Sequence, residues 1–285
     1  MQPVVSGLLV GGIYGLVSMG LSLIFGVMRI LNFAQGDLVM LGMYFTWWIV
    51  TATRLDPYAV IVLSAPLLFI VGMIIYRFLI RPIHSADDTP QLLVTLGVSI
   101  VFQNVALLVM KADPRFLTVG YSQKYYDVAG ILINQAQLIS FMIAAACTAL
   151  VAWLLTRTDV GKGLRATVDD VEMAQMVGIK SRRIYLLSFG LGAALAGIGG
   201  TALMVYYPAS PTVGSVFLII AFVSVVLGGM GNVVGAYLAG MIVGVVQQLS
   251  ATFFSVDLQN VGVFILFIIL LLFRPNGLFQ RGRTV

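Results

Sequence analysis

Charge is scarce in this sequence. Of its 285 residues, 9% are Asp, Glu, Lys or Arg, while 60% are apolar. A soluble domain carries roughly 25% charged residues. Too few polar side chains exist here to cover a wet surface, which excludes a soluble fold. Disorder is excluded as well, because it needs low hydrophobicity and high net charge. The one cysteine, Cys147, leaves no intramolecular disulfide and no cysteine-based metal cluster. The one histidine, His84, has no metal-ligand partner near it in sequence. No Gly-x-x-x-x-Gly-Lys-Ser/Thr run occurs, so the chain has no P-loop for ATP. His-Glu-x-x-His and Gly-x-Ser-x-Gly are missing too. Asp87 and Asp88 read as a solvated turn before Pro90, not as an acid–base pair.

The missing charge has a pattern. Residues 1–28, 89–110, 128–156, 184–256 and 258–273 contain no Asp, Glu, Lys or Arg. A helical span needs roughly 20 apolar residues. The longest gap, 73 residues, therefore holds about three crossings. Barrel strands would alternate polar and apolar, so the spans are helices. The amino end lacks the positive flank of a signal peptide and stays apolar to Met28, so it reads as an uncleaved first span. The expected spans are 4–28, 33–50, 58–80, 92–110, 138–156, 185–206, 214–228, 235–254 and 257–273. Those at 33–50, 214–228 and 257–273 are short, and some of them read as tilted, broken or re-entrant. The fold class is all-α: a polytopic bundle of eight or nine spans forming one transmembrane domain over 1–285.

Lys and Arg set the orientation. With the carboxyl end cytoplasmic, the inner segments hold Arg29, Arg77, Arg81, Arg157, Lys162, Arg165, Lys180, Arg182, Arg183, Arg274, Arg281 and Arg283. The outer segments hold Arg54, Lys111, Arg115 and Lys124. Nine spans then put the amino terminus outside. Topology accounts for the net charge of +5, and no nucleic-acid partner is needed.

Two connections are long. The outer one, 111–137, carries Asp113-Pro114-Arg115 and reads as a solvated loop, a vestibule cap or a partner contact. The inner one, 157–184, contains a short helix over 169–178. Asp169 can N-cap it, with Glu172 at capping-box spacing. Gly178 stands where a left-handed C′ residue belongs, and Ile179 can close a Schellman contact. Val171, Ala174 and Val177 share a face, with Met173 and Met176 alongside. Such a face either docks in a groove of another protein or lies flat on the bilayer.

Four motifs give the chain a family likeness. They are Asn32-Phe-Ala-Gln-Gly-Asp37; Gly163 to Ile179 followed by Phe189-Gly-Leu-Gly-Ala-Ala-Leu-Ala-Gly-Ile-Gly-Gly200; Val226-Leu-Gly-Gly-Met-Gly-Asn-Val-Val-Gly-Ala236; and Phe273-Arg-Pro-Asn-Gly-Leu-Phe279. In that order they resemble the permeases of branched-chain amino acid ABC transporters, of the "H" type, over nearly the whole length. The resemblance implies a permease, not an enzyme, in the bacterial inner membrane. Its implied partners are a homologous second permease, two cytoplasmic ATPases that bind ATP and Mg, and a periplasmic substrate-binding protein. No cofactor or metal is implied for this chain. The 169–178 helix becomes the ATPase-coupling element, with Asp169, Asp170, Val171, Glu172, Ala174, Val177 and Gly178. Gln35 and Asp37 stand where the family usually has His and Glu. Gln35 does not titrate near neutral pH, so no proton-sensing role follows there. The expected cargo is a branched-chain amino acid or a related small amino acid or amide; urea, other amides and aromatic acids are the alternatives within the family.

Several polar groups sit inside the apolar runs. Asn32 can cap the second helix, with Gln35 at N3 and Asp37 near its positive end; the three read either as this cap or as a gate or pathway element at the cytoplasmic side of the membrane. Gln91, Thr95, Ser99 and Gln103 recur every four residues, with Asn104 beside the last, forming a stripe on one helix. Gln247 and Gln248 pose the same choice as that stripe: lining a pathway or bonding between helices. Gly228, Gly229 and Gly231 read as a tight turn or helix break, and Gly229 is a pathway candidate. Gly7, Gly11, Gly15, Gly240 and Gly244 read as close helix packing within the chain. A different class, an intramembrane enzyme, would need clustered acids or His within the spans, and only Asp37 and Asp257 approach that.

Overall fold

The computed structural model describes residues 1–83, 88–122, 124–128, 130–255, 258–274 and 277–279. The readings made on His84, Asp87, Asp257, Arg281 and Arg283 lie outside these residues. Among the described residues, nine apolar helices follow the expected spans: α1 (Gln2–Met28), α2 (Gln35–Thr53), α3 (Ile61–Ile75), α4 (Asp88–Met110), α5 (Gln135–Arg157), α8 (Ser181–Leu203), α9 (Val213–Gly228), α10 (Val233–Phe253) and α11 (Gln259–Phe273). A π-turn and a 3-10 turn carry α3 on to Ile83. Six of these helices are long and apolar enough to cross a membrane, and α9 and α11 are shorter. The molecule is a polytopic helical membrane bundle.

Three helices end in an unusual way. Arg29, Arg54 and Lys111 adopt left-handed conformations, with φ of 56°, 58° and 64°, where glycine is the common choice. Each still closes a helical hydrogen bond, to Phe25, Val50 and Leu107. Each also places a cation at the negative end of a helix dipole.

The core is built on α1 and α8. In their most apolar windows 83% and 72% of residues are buried, against 22% for α4 and 17% for α5. The outer helices therefore present their Leu, Ile and Val to lipid or to another protein. α1 packs antiparallel on α10 through glycine: Gly7 meets Gly244 and Val245, Gly11 meets Gly240 and Met241, and Gly15 meets Gly240 and Tyr237. Small residues let the two backbones approach, so the two glycine series read from the sequence pair with each other inside the chain. α8 touches α1 at Gly20–Gly192, α2 at Gly42–Gly197 and α3 at Gly190–Phe69.

Alternating helix directions bring Arg29, Arg77, Arg81, Arg157, Lys162, Arg165, Lys180, Arg182, Arg183 and Arg274 to one end of the bundle. Arg54, Lys111, Arg115 and Lys124 lie at the other.

Both long connections hold more structure than the sequence reading gave them. The 111–134 segment contains an antiparallel hairpin, β1 (Tyr125–Val128) with β2 (Ile131–Asn134). Gly130 turns there at φ 81°, and Asp127 accepts a hydrogen bond from its amide. Asn134 then caps α5 by accepting from Ala136 and Gln137. The 157–180 segment holds two short helices, α6 (Asp159–Asp169) and α7 (Val171–Met176). α6 is capped by Thr158, which accepts from Gly161.

Candidate functional site

Two helices begin inside the bundle instead of at its ends. Gln35, the first residue of α2, donates from Nε2 to the carbonyl of Gly192 at 3.1 Å. Gly192 is the middle residue of the 23-residue α8. Gly214, the second residue of α9, packs its backbone against Gly36. The starts of α2 and α9 thus meet near mid-depth, which accounts for two of the three short spans. Their positive dipole ends converge on the first turn of α2, where Asp37 sits 1% exposed.

The polar stripe of α4 closes this crossing. Gln103 donates from Nε2 to Asp37 Oδ1 at 3.1 Å and to Ser99 at 3.1 Å. The same nitrogen lies 3.5 Å from the Ser215 hydroxyl on α9. Thr95 donates to the Leu31 carbonyl at 3.3 Å. Gln91, Thr95 and Ser99 are buried, so this stripe faces protein. A carboxylate in an apolar bundle is expensive unless it is hydrogen-bonded. Here the amide of Gln103 and the helix starts supply its stabilisation.

Several details differ from the sequence reading. Ala34, not Asn32, occupies the cap position of α2, and Gln35 is N1 instead of N3. Asn32 makes a local turn instead, accepting from the Ala34 amide at 3.2 Å while its Nδ2 lies 3.4 Å from Gln35 Oε1. Asn104 leaves the stripe: it is exposed and donates to Ile100 on its own helix at 2.8 Å. Gln247 bonds Asn260 on α11 at 2.9 Å, so it joins α10 to α11 and does not meet Gln103. Gly229 ends α9 at φ 91° and makes the turn into α10, where Gly277 packs on it. The structure adds Gly36, Gly192, Gly214 and Ser215 to the crossing. The available signal was small residues beside polar ones, in Gln35-Gly-Asp37 and Val213-Gly-Ser215.

The second site is α7, at the basic end. Asp170 caps it, accepting from Glu172 and Met173 at 2.9 and 3.0 Å. Asp169 instead ends α6. Glu172 is therefore two residues past the cap, and the expected capping box does not form. The other end is a complete Schellman motif. Ile179 N–H donates to Ala174 O (2.9 Å), Gly178 N–H to Gln175 O (3.0 Å), and Gly178 has φ 87°. The apolar residues split between two faces. Ala174 is buried and Val171 half-buried, turned toward the bundle. Met173, Met176 and Val177 stand 62%, 78% and 76% exposed. A six-residue helix fixed at both ends thus displays a compact apolar knob. Among the described residues, no group of three His, Cys, Asp or Glu could hold a metal ion.

A core of close-packed spans, two helices starting at mid-depth and an exposed knob at the basic end define the class: a multi-pass helical membrane protein whose parts suit transport more than chemistry. The chain belongs to the branched-chain amino acid transport system permease component family, whose model matches residues 4–273. It is 31% identical to the high-affinity branched-chain amino acid transport system permease protein BraD of Pseudomonas aeruginosa, over 99% of this chain and 96% of BraD. It is 29% identical to the corresponding permease protein LivH of Escherichia coli, with the same coverage of each. A shorter likeness, 30% identity over 45% of this chain and 30% of the relative, links it to the permease protein LivM of Escherichia coli. No solved structure matches the chain.

Proposed function

We propose that this chain is the permease subunit of an ATP-driven importer in the bacterial inner membrane. Its cargo is a branched-chain amino acid, the cargo class in the names of BraD and LivH, or a closely related small amino acid or amide. It works beside a homologous second permease, with two cytoplasmic ATPases that bind ATP and Mg, and receives solute from a periplasmic binding protein. The likeness to LivM, also named a permease of such a system, supports the paired arrangement.

The observation that carries this reading is the α7 knob. Three exposed apolar side chains on a helix capped at both ends suit a groove in a partner protein. A rigid knob transmits the movement of that groove to α6 and α8, and packed helices shift as bodies. The α2–α9 crossing lies at mid-depth, where Asp37 and Gln103 border the path and the contact between two helix starts forms its gate.

The test is the double variant Met173→Glu/Met176→Glu in the assembled complex. Insertion and pairing with the second permease should persist, while ATPase co-purification and leucine uptake fall to background. Normal ATPase association and uptake would refute the coupling role of α7.

A further inference from the structure

Among the described residues, no anion pairs with Arg115. It follows α4 at the end of the bundle opposite α7, and its backbone is held on both sides. Its N–H donates to Ala209 O and its C=O accepts from Ala209 N–H, each at 2.9 Å. Ala209 lies on the 204–212 connection, which runs into the start of α9 at the central crossing. The guanidinium lies over the Trp47 ring, 4.9 Å from its centre. One terminal nitrogen donates to Met110 O at 3.1 Å, while the buried Nε has no acceptor. Among the described residues the one ion pair is Lys162–Asp159, at the other end.

Tyr44 supplies a second, independent signal. It lies three residues before Trp47 on α2, hence on the same face. It is 3% exposed, and its buried hydroxyl has no partner among the described residues. Tyr44 and Met110 also line a cavity of about 250 Å³ whose other walls include Leu41, Phe45, Leu68 and Val71. Tyr44 therefore stands at the wall of an aliphatic chamber, and Arg115 reaches the same wall through its bond to Met110. A buried donor with no acceptor forgoes the hydrogen bond it makes in water. An oxyanion joined to a branched hydrocarbon fits both halves of this arrangement.

We propose that Arg115 and Tyr44 recognise the carboxylate of the transported amino acid, whose aliphatic side chain enters the adjacent cavity. This rests on the reading of the chain as an amino-acid permease and names a site within it. Arg115 Nε–H and the Tyr44 hydroxyl donate to the carboxylate, and Trp47 holds the guanidinium plane. Both donors are shielded in this conformation, so entry requires the guanidinium to lift from Trp47 and to settle back on it once the carboxylate is bound. That shielding favours a small solute over a phospholipid headgroup, which reaches only surface donors. The pinning of Arg115 to Ala209 ties this outermost contact to the connection that leads to the α2–α9 crossing.

The complete transporter, in lipid nanodiscs, is titrated with radiolabelled leucine and with leucinamide, which lacks the carboxylate, as competitor. The wild type should prefer leucine by at least about tenfold, the strength of one charge-assisted hydrogen bond. Arg115→Gln and Tyr44→Phe should each abolish most of that preference while leaving leucinamide affinity within about twofold of wild type. Tyr44→Phe removes one oxygen atom and keeps the packing, so it reports even where Arg115→Gln fails to assemble. A wild type that binds both ligands equally, or binds neither at millimolar concentration, overturns the proposal. So does a leucine preference that survives Tyr44→Phe. Leucine affinity that falls when phosphatidylglycerol replaces phosphatidylcholine marks a lipid site and overturns it too. Uptake measured in parallel separates the two readings. Leucine uptake without carboxylate preference removes this site alone, whereas uptake of no amino acid by the wild type removes the permease reading.

Discussion

Replacing Gly36 with alanine places a methyl group where α2 and α9 touch. A Cβ at that position overlaps the Gly214 carbonyl oxygen and comes within 2.8 Å of its carbon and 2.9 Å of Leu218 Cβ. The carbonyl belongs to a helix backbone and cannot rotate aside. The helices must part by on the order of 1 Å to restore van der Waals contact. Overpacking of this kind costs about 1–3 kcal/mol. Alanine in a helix returns roughly 0.5–1 kcal/mol relative to glycine. An unyielding neighbour puts the net loss near 2 kcal/mol, about 30-fold in the folded-to-unfolded ratio. Gln103 bridges Asp37 on α2 and Ser215 on α9, so parting the two helices stretches one of these contacts, and uptake should fall along with stability. Gly97 on α4 is the control, because a Cβ there meets nothing within 4 Å. Gly97→Ala should therefore gain roughly 0.5–1 kcal/mol. Reversible unfolding in mixed micelles, with increasing sodium dodecyl sulfate, measures both. Gly36→Ala at or above wild-type stability refutes the close crossing, as does an equal loss in Gly97→Ala.

Two further outcomes follow from local geometry. Asp170→Ala removes the acceptor for two amides at the start of α7, costing about 1 kcal/mol of local stability; the 171–178 amides should exchange hydrogen several-fold faster, and unchanged protection would contradict the cap assignment. On the connections, burial first, then the hydrogen bond to Asp56 (2.9 Å) and its negative charge, hold the Tyr121 phenol above its ordinary value near 10. A raised value in the folded state means this contribution is complete below pH 10 and is lost as pH climbs through the folded value. Asp56→Asn removes the charge, so the Tyr121 phenolate, isolated by subtracting a Tyr121→Phe spectrum, should form at lower pH than in wild type; an unshifted titration would contradict the contact.

The helices were legible in the sequence because charge-free runs report burial, and α1, α4 and α11 begin and end close to where those runs do. Depth was less legible. The apolar run of α2 looks like any other span, and only the contacts of Gln35 and Gly36 reveal that it starts halfway down. Composition says that a residue is buried without saying at what level. α6 escaped notice because Gly161 and Gly163 lower helix propensity. Gly161 is there because α6 packs against the Leu154 and Leu155 carbonyls. The α7 cap was misplaced by one residue, since Asp169 and Asp170 are equally good caps and only the chain path between α6 and α7 decides. In the polar stripe, a spacing of four held Gln91 to Gln103 on the buried side, while Asn104, one residue on, turned outward. Arg115 and Tyr44 were opaque as a pair: they are far apart in sequence, and Arg115 reaches the Tyr44 face of α2, over Trp47, where the connection after α4 is clipped to Ala209.

Chemical labelling of a single thiol on the knob tests the account most directly. In a Cys147→Ser background, Met176→Cys puts the one thiol on the exposed face of α7. In intact cells it should be inaccessible to membrane-impermeant maleimide, and in inverted vesicles it should react and cross-link to the ATPase subunit. Reaction from the outside of intact cells would place the knob beyond the reach of any cytoplasmic motor and contradict the mechanism.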